Sequence, residues 1–417
     1  MAIAVCGGKR AEGELRIQGS KNAVLPMMAA ALLSGEPCVI ENCPDITDVH
    51  AMAEVARETG AAVEFEGNRI TLNGFSIHSG EILGQKAGEI RASVLLLGVL
   101  LSRTGRVRMD YPGGCSIGSR PVDYHLQAFR QMGAEVCEMD DGIHCQNPGR
   151  LHGAAIKLPF PSVGATENIL LAAVLAEGTT WIQNAAREPE IVELCGFLEQ
   201  MGAEINGAGT KHIVVRGKER LHGVTWTLGA DRIAFLTYAM MTAGCGGDCF
   251  FELGDTAPAK ETAILARLGC ELSFGNRGVR VRQNGRPKPI ASICTGPYPA
   301  FPTDGQSLLV AVLTKSSGVS LIEEGVFDNR FRMIHQLHNL GANIDFVSNH
   351  ACITGVTKLH GARVRADDLR SGAGLLIAGA MADGETVVSN DHFIRRGYED
   401  IVGRMREISL EAAWVSE

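Results

Sequence analysis

NAVLPMMAAALLSGEPCVIENCPDITDVHAMAEVARETGAAVEF, residues 22–65, contains the pattern that decides the fold. An apolar helix is followed by a turn at Gly35, a β-rich stretch, a second helix, and Gly60 leading into a strand. This order predicts a small α/β unit. The same order of predicted elements recurs at residues 91–139, 162–205, 231–274, 303–346 and 370–408.

A glycine before the last strand marks the repeat. It occurs at Gly60, Gly133, Gly202, Gly269 and Gly341, with a period of about 70 residues, longer than that of ordinary solenoid repeats. The sixth copy is degenerate and reads REISLE at residues 406–411. The sequence therefore predicts an α/β protein built from six repeated units.

Three units on either side of a midpoint near Leu228 predict two lobes. We expect the first lobe at residues 21–228, with Cys115, and the second at residues 1–20 and 229–417, with Asp304 and Arg396. A ligand held between two lobes would fit the usual preference of ligands for domain clefts, and two lobes permit closure. Repetition alone also fits a non-catalytic scaffold. Only the residues that interrupt the repeats can distinguish such a scaffold from an enzyme.

Composition excludes several classes of function. A formal net charge of −8 argues against a surface that binds the phosphates of nucleic acid. No stretch approaches the roughly 18 to 20 apolar residues of a membrane span, and the first residues lack the layout of a signal peptide. We therefore expect a cytoplasmic protein without nucleic-acid or membrane partners.

The twelve cysteines are scattered through apolar contexts, and we expect most of them to be buried thiols. Cys245 and Cys249 come closest to metal-ligand spacing, but no second pair or histidine lies near them in the sequence. No metal site is predicted.

The segment YPGGCSIGSRPVD, residues 111–123, interrupts the second unit. Its glycines and prolines predict a loop with an exposed thiol at Cys115, and Arg120 follows five positions later. A guanidinium group and loop backbone amides lower the pKa of a thiol and can bind an anion. This combination favours chemistry over packing for Cys115.

Seven motifs in order carry a resemblance to a known family: GSKNAVLP, PGGCSIGSRPVD, SVGATEN, NAAREPEIV, PAFPTD, FDNRF and RRGYE. They extend from Gly19 to Tyr398 and resemble the UDP-N-acetylglucosamine 1-carboxyvinyltransferases. The resemblance implies a two-lobed fold, with an inside-out α/β barrel of three repeated units in each lobe. It also implies transfer of the enolpyruvyl group of phosphoenolpyruvate to the 3-hydroxyl of UDP-N-acetylglucosamine, the first committed step of peptidoglycan synthesis, without a cofactor.

The same resemblance implies roles for individual residues. Cys115 becomes the acid that protonates phosphoenolpyruvate, with a second role as a nucleophile, and Asp304 becomes the base for the sugar hydroxyl. A cation at Arg120 favours thiolate, which is not an acid, so the resting state of Cys115 stays open. The phosphoenolpyruvate set is Lys21, Asn22, Arg120, Arg330, Arg370 and Arg396. The sugar-nucleotide set is Asn22, Arg91, Arg120, Pro121, Val122, Asp123, Tyr124, Ser162, Val163, Gly164, Asp304 and Val326.

The resemblance also implies supporting roles for several residues, and the sequence departs from the family pattern at a few positions. Asp368 is expected to orient Lys21 or its neighbours, and Ser162 or Thr166 to begin a helix whose backbone amides meet the diphosphate. Glu188 and Glu190 resemble exposed loop or helix-start charges without a catalytic role. Four positions depart from the family pattern: Phe160, Ala234, Phe235 and Gly305, the last of which is expected to loosen the hold on Asp304.

Two rival functions remain. The shikimate-pathway enolpyruvyl transferase shares the predicted architecture and phosphoenolpyruvate, but it lacks the cysteine loop. A catalytically silent paralogue that binds sugar nucleotide and acts through a partner is the other rival. The joint presence of Lys21, Cys115 and Asp304 favours the enzyme.

Overall fold

The computed structural model describes residues 1–83, 88, 90–111, 121–254 and 258–416. These residues form two compact units. Residues 19–111 and 121–228 form one, which we call the middle unit, and residues 1–18 and 229–416 form the other, the terminal unit. Each unit is described by itself.

Each unit contains three four-stranded sheets, and all six have the same topology within the described residues. In spatial order, the first two strands are parallel and the other two pairs are antiparallel. The sheets of the middle unit are Thr225–Thr227, Cys38–Glu41, Arg69–Asn73 and Ala62–Glu66; Glu81–Ile82, Arg106–Met109, Gly142–Gln146 and Glu135–Met139; and Ala155–Lys157, Thr179–Gln183, His212–Arg216 and Glu204–Asn206. Those of the terminal unit are Ala11–Arg16, Gly247–Glu252, Gly278–Gln283 and Glu271–Gly275; Ile293–Cys294, Val319–Glu323, His350–Thr354 and Asn343–Val347; and Arg363–Arg365, Glu385–Ser389, Ala2–Cys6 and Glu411–Val415. The predicted six repeated units are confirmed.

Three helices form the centre of each unit. They are Lys21–Ala31, Leu96–Thr104 and Val163–Ala173 in the middle unit, and Arg232–Cys245, Thr303–Leu313 and Leu369–Met381 in the terminal unit. A helix that is apolar on nearly all sides is stable only when it is surrounded by protein, and these helices are buried along almost their whole length. The sheets cover them with one face and expose the other, as the alternating burial of Val319–Glu323 illustrates. Each unit therefore has helices inside and sheets outside.

Further helices with one buried face connect the strands. They are Thr47–Glu58, Asp123–Gln131, Pro189–Gln200, Ala259–Arg267, Ile334–Asn339, Asp391–Arg395 and Ile401–Glu407, with 3₁₀ turns at Arg91–Leu95 and Arg330–Met333. No helix of the described segments is long and apolar enough to cross a membrane.

The repeated glycine has a conformational reason. The five glycines that mark the repeat have φ between 88° and 99°, in the left-handed region, directly after a connecting helix. At Gly341 this turn lets the amide of Ala342 donate to the carbonyl of Leu337. In the degenerate sixth copy Ser409 takes the same position with φ 63°, and Leu410 makes the equivalent bond to Met405. The turn persists where the glycine has been lost.

Six of the eleven described cysteines are buried, as expected for most of them, and all eleven are free thiols. Burial raises the pKa of Cys145, Cys195 and Cys270 to about 12. Thiols of this kind carry almost no thiolate at neutral pH and are poor nucleophiles. Among the described residues, no cluster of histidine, cysteine and acidic side chains has the make-up of a metal site.

Arginine side chains bind the C-terminal ends of buried helices. The Arg103 guanidinium donates to the carbonyls of Leu32, Leu33 and Gly74, at 3.2, 2.9 and 2.8 Å. Arg150 and Arg286 make the corresponding sets of bonds after the helices Val163–Ala173 and Thr303–Leu313. Carbonyls at a helix end lack partners within the helix and attract cations, so each guanidinium joins a helix end to a neighbouring segment.

We predict that Arg103→Lys lowers the free energy of unfolding by about 2 kcal/mol, because a single ammonium group cannot span three carbonyls held by a planar fork. Arg216→Lys is the matched control, since Arg216 is an exposed strand residue with an ion pair to Glu204 at 3.4 Å. It should change stability by less than about 0.5 kcal/mol. Denaturant unfolding measures both, and equal stability of the two variants would contradict the capping role.

Candidate functional site

Polar residues begin all three buried helices of the terminal unit. Asp231 caps Arg232–Cys245, and its Oδ1 accepts the amides of Ile233 and Ala234 at 2.8 and 2.9 Å. Asp368 caps Leu369–Met381 in a capping box with Ser371. Pro302 precedes Thr303–Leu313, whose first turn contains Asp304. The helix starts thus provide carboxylates where backbone amides lack partners within the helix.

Two buried arginines meet at Asp304. Arg330 Nη2 donates to Asp304 Oδ1 at 2.8 Å, and Arg370 Nη2 donates to Asp304 Oδ2 at 2.9 Å. Arg330 Nη1 lies 3.5 Å from Asp368 Oδ1, and both arginines are 4% exposed. We call Asp304, Arg330, Asp368 and Arg370 the arginine–carboxylate cluster. It combines two positive and two negative charges, as burial of charged groups requires.

A chain of hydrogen bonds fixes Arg330. Its Nε donates to Thr303 Oγ1 at 3.3 Å, and that hydroxyl donates to Glu324 Oε1 at 2.9 Å. The same carboxylate oxygen accepts the amides of Val326 and Phe327 at 3.0 and 3.2 Å. Glu324, itself 2% exposed, therefore connects the loop that carries Val326 to the start of the Asp304 helix.

A second chain fixes Arg370. Its Nη1 donates to Tyr398 Oη at 3.2 Å, and its guanidinium carbon lies 5.9 Å from the centre of the Tyr398 ring. Burial is the largest single influence on the pKa of Arg370 and lowers it, but the charges of Asp304, Tyr398 and Asp231 together raise it further, so the net shift is upward. Arg370 is therefore a permanent cation.

Arg396, the remaining predicted cation of this unit, directly follows the helix Asp391–Arg395 and is half-buried. It precedes Tyr398 by two residues. The structure thus brings Asp304, Arg330, Asp368 and Arg370 into one cluster and places Arg396 on the segment that leads to Tyr398.

In the middle unit Lys21 is the first residue of a buried helix, and its Nζ lies 3.1 Å from Asp48 Oδ2. A cation is unfavourable at a helix N-terminus, so the buried Asp48 carboxylate stabilises the position of this ammonium group. Asn22, in the same turn, is half-buried.

The residues of the middle unit that were predicted to bind the sugar nucleotide lie on neighbouring elements. Arg91 Nη2 donates to the carbonyl of Pro121 at 3.2 Å, which joins the 3₁₀ turn Arg91–Leu95 to the segment before Asp123–Gln131. The side chain of Val122 is buried in the core, whereas Asp123 and Tyr124 are half-buried at the helix start.

Ser162 caps the helix Val163–Ala173, as predicted, and its Oγ accepts the amide of Ala165 at 3.3 Å. Thr166 is not the cap, because it lies inside the helix and its hydroxyl donates back to the carbonyl of Ser162. The backbone of Val163 and Gly164 forms the first turn, which is the part of a helix that binds anions.

Asn168 joins these elements, a role that sequence reasoning missed. Its Nδ2 donates to the carbonyl of Val94 at 2.8 Å, and its Oδ1 accepts the amide of Gly98 at 2.9 Å. The two backbone partners fix the amide orientation, so Nδ2 donates to His125 Nδ1 at 2.9 Å. In this arrangement His125 Nδ1 is the acceptor of the bond from Asn168.

Two of the predicted site residues, Cys115 and Arg120, lie outside the described residues. Glu190 is a helix-start charge as expected, but the prediction that it is exposed is wrong, because it is only 5% exposed. Glu188 is the N-cap residue of the same helix and is half-buried.

Three of the four departures from the family pattern lie at tightly packed positions, and the fourth, Phe160, is exposed. Ala234 and Phe235 are core residues, and the Phe235 ring packs edge-on against Phe251 with centroids 5.5 Å apart. Phe160 exposes 37% of its surface just before Ser162. At Gly305 the space for a side chain is already occupied, because a Cβ there would lie 2.8 Å from both Leu236 Cδ2 and Phe301 Cζ.

We predict that Gly305→Ala lowers the free energy of unfolding by about 1–3 kcal/mol, because the added methyl group overpacks the contact with Phe301. Gly305→Ala combined with Phe301→Leu should recover a large part of this loss. The measurement is a double-mutant cycle by denaturant unfolding, with Phe301→Leu as the second single variant. Strictly additive effects would show that the two side chains do not compete for the same space.

The chain matches the family model described as EPSP synthase (3-phosphoshikimate 1-carboxyvinyltransferase) over residues 5–405. It is 42% identical to UDP-N-acetylglucosamine 1-carboxyvinyltransferase 2 of Caldanaerobacter subterraneus subsp. tengcongensis, with 97% of each chain covered. It is 45% identical to UDP-N-acetylglucosamine 1-carboxyvinyltransferase 1 of Carboxydothermus hydrogenoformans, over 95% of this chain and 94% of the relative.

Solved structures share the architecture. The enolpyruvyl transferase NikO from Streptomyces tendae superposes with a TM-score of 0.88 at 26% identity, over 99% of this chain and 98% of that one. EPSP synthase from Acinetobacter baumannii reaches a TM-score of 0.78 at 17% identity, with 99% of both chains covered, and this likeness shows the fold alone. The predicted fold class, that of the enolpyruvyl transferases, is confirmed.

Proposed function

Because the chain belongs to the EPSP synthase family, and within it to the UDP-N-acetylglucosamine 1-carboxyvinyltransferases, we propose that it transfers an enolpyruvyl group to UDP-N-acetylglucosamine. Phosphoenolpyruvate is the donor, the 3-hydroxyl of the N-acetylglucosamine is the acceptor, and phosphate is released. The product commits the sugar nucleotide to peptidoglycan synthesis.

The relatives support this acceptor over shikimate 3-phosphate. Identities of 42% and 45% over nearly the whole chain connect it to proteins named for the sugar nucleotide. The solved EPSP synthase shares the fold at only 17% identity. Since one fold hosts different acceptors, residue-level similarity is the better guide to the substrate.

The observation that carries the proposal is the pair of buried arginines on Asp304. Phosphoenolpyruvate has a carboxylate and a phosphate, and guanidinium groups bind both through charge-assisted, often bidentate hydrogen bonds. We assign Arg330, Arg370 and Arg396 to this donor, together with Lys21, Asn22 and Arg120.

For the sugar nucleotide we assign a set that begins at helix starts. We propose that the amides of Val163 and Gly164 bind the diphosphate, because they lie in the first turn of their helix, while Arg91 holds the segment from Pro121 onward. Val326, whose amide donates to Glu324 Oε1 in the network that also holds the start of the Asp304 helix, is a further member of this set. The remaining members are Asn22, Arg120, Val122, Asp123, Tyr124, Ser162 and Asp304.

The chemistry requires an acid and a base. In the proposed reaction Cys115 gives a proton to the terminal carbon of phosphoenolpyruvate, which makes C2 electron-poor. The sugar oxygen attacks C2 while Asp304 accepts the hydroxyl proton. The C2–O bond to phosphate then breaks and phosphate leaves with the electron pair, while the Cys115 thiolate takes a proton from the methyl carbon, which restores the double bond and the thiol.

Asp304 is a weak base while both of its oxygens accept bonds from arginine, because neighbouring cations stabilise the ionised carboxylate. A bound anion competes with Asp304 for the same guanidinium groups. We propose that the donor, by drawing on Arg330 and Arg370, releases an oxygen of Asp304 to accept the sugar proton. Asp368, which caps its helix and pairs with Arg330, supports this arrangement.

The acceptor is tested by phosphate release from phosphoenolpyruvate. We expect UDP-N-acetylglucosamine to give release at least about a hundredfold faster than shikimate 3-phosphate, since a site that binds one acceptor through hydrogen bonds leaves them unpaired with the other. Release with only the shikimate ester would transfer the assignment to the rival enzyme. Binding of the sugar nucleotide without any release would favour the silent paralogue.

The role of the cysteine is tested separately. Cys115→Ala should abolish phosphate release, and epoxide alkylation of the wild-type protein should map to residue 115 by peptide mass spectrometry. Cys137→Ala is the matched control, because Cys137 is an exposed thiol on the strand Glu135–Met139 with no proposed role. Turnover by Cys115→Ala at the wild-type rate would remove this residue from the mechanism.

A further inference from the structure

Tyr398 is a buried tyrosine that none of the proposed substrate sets contains. It is 3% exposed, and its hydroxyl lies within hydrogen-bond distance of two groups, Arg370 Nη1 at 3.2 Å and Thr237 Oγ1 at 2.7 Å. Its ring lies beside the same guanidinium, 5.9 Å from centre to Cζ. Tyr398 therefore contacts Arg370 both through its hydroxyl and through its ring.

The hydrogen bonds of Tyr398 form a series whose donors and acceptors can be deduced. Arginine is only a donor, so the Tyr398 oxygen accepts from Arg370. The Thr237 hydroxyl donates to the carbonyl of Ile233 at 2.8 Å, which leaves its oxygen to accept from Tyr398. The chain from Arg370 through Tyr398 and Thr237 ends on the backbone of the buried helix Arg232–Cys245.

We propose that Tyr398, held by Thr237, is a positioning residue that sets the plane of the Arg370 guanidinium for phosphoenolpyruvate. The inference rests on the proposed function, in which Arg370 binds this donor.

Tyr398 matters for binding because Arg370 has to exchange Asp304 for a substrate anion without losing its orientation. Arg370 uses Nη2 for Asp304 and Nη1 for Tyr398. When a substrate anion competes for the Asp304 side of the guanidinium, the bond to Tyr398 still holds the opposite nitrogen. A planar fork recognises a carboxylate or phosphate only in the correct plane, so this second bond preserves the binding geometry. Because Tyr398 touches neither substrate in this scheme, its effect passes entirely through Arg370.

The protein contains a second tyrosine that serves as a matched control. Tyr238, next to Thr237 on the same helix, is 2% exposed, and its ring packs edge-on against that of Tyr398 with centroids 6.4 Å apart. Its hydroxyl has no hydrogen-bond partner among the described residues. Tyr398→Phe and Tyr238→Phe thus remove the same atom from two neighbouring buried rings, and only the first removes a bond to Arg370.

The experiment measures steady-state phosphate release by the full-length protein with each substrate varied in turn. We expect Tyr398→Phe to lower kcat/KM for phosphoenolpyruvate about tenfold, the effect of losing one hydrogen bond to a charged group. The KM for UDP-N-acetylglucosamine should change less, by no more than about threefold, because Asp304 is the one member of its proposed set, among the described residues, that is bonded to Arg370. Tyr238→Phe should match wild type in both parameters.

Variants of Thr237 test the second link of the chain. Thr237→Val removes the hydroxyl that accepts from Tyr398 and should reproduce the direction of the Tyr398→Phe effect on phosphoenolpyruvate. Thr237→Ser keeps the hydroxyl and should restore kcat/KM for phosphoenolpyruvate to near the wild-type value. Thermal unfolding of all variants checks that they are folded at the assay temperature.

The outcomes separate the two proposals. If the wild-type protein releases no phosphate with UDP-N-acetylglucosamine, the proposed function fails, and the positioning role fails with it. If the wild type turns over and Tyr398→Phe equals Tyr238→Phe, only the positioning role is overturned. A Tyr398→Phe variant that loses affinity for both substrates equally would show that the tyrosine merely supports the fold, which also overturns the inference.

Discussion

The paired hydrogen bonds from Arg330 and Arg370 to Asp304 are the constraint on which the terminal unit depends. Each guanidinium is 4% exposed, and an isolated charge in such a place would be unstable by several kcal/mol. Asp304 and Asp368 offset these charges, and hydrogen bonds through Thr303 and Tyr398 saturate further donors. Since the cluster is neutral only as a whole, removal of one member leaves another charge buried without compensation.

The repeat explains why such a cluster can exist. Each buried helix is apolar along its length and carries its polar residues at its first turn, as Asp231, Asp304 and Asp368 show. The other ends are closed by guanidinium groups on carbonyls, of which Arg103 and Arg286 are examples. Polar groups are thus concentrated at the two ends of each buried helix, so repeated copies of one unit can differ at their helix ends without losing their common core.

The fold was accessible from the sequence because its signals are local and repeated. Glycine marks such as Gly341 predicted a left-handed turn, and the helix and strand patterns between them predicted the units. Candidate site residues could be named from the sequence where a motif contains them, as for Asp304 in its cluster or Ser162 at its helix start. Asp48, Asn168 and Glu324 were missed, because each acts on a partner from another part of the chain, and the burial of Glu190 was also missed. Periodicity specifies which face of an element is buried, but it does not specify which polar group on another element will meet it.

The proposed reaction makes opposing demands on Asp304. Two cations hold the carboxylate in place and stabilise its charge, whereas a base must accept a proton during the reaction. Permanent pairing would satisfy the first demand and defeat the second. Partners that also bind the anionic donor resolve the conflict, because donor binding and activation of the base then draw on the same guanidinium groups. In this view Arg330 and Arg370 link the two substrates: the sugar hydroxyl meets an effective base only when the phosphoenolpyruvate that it must attack is already bound.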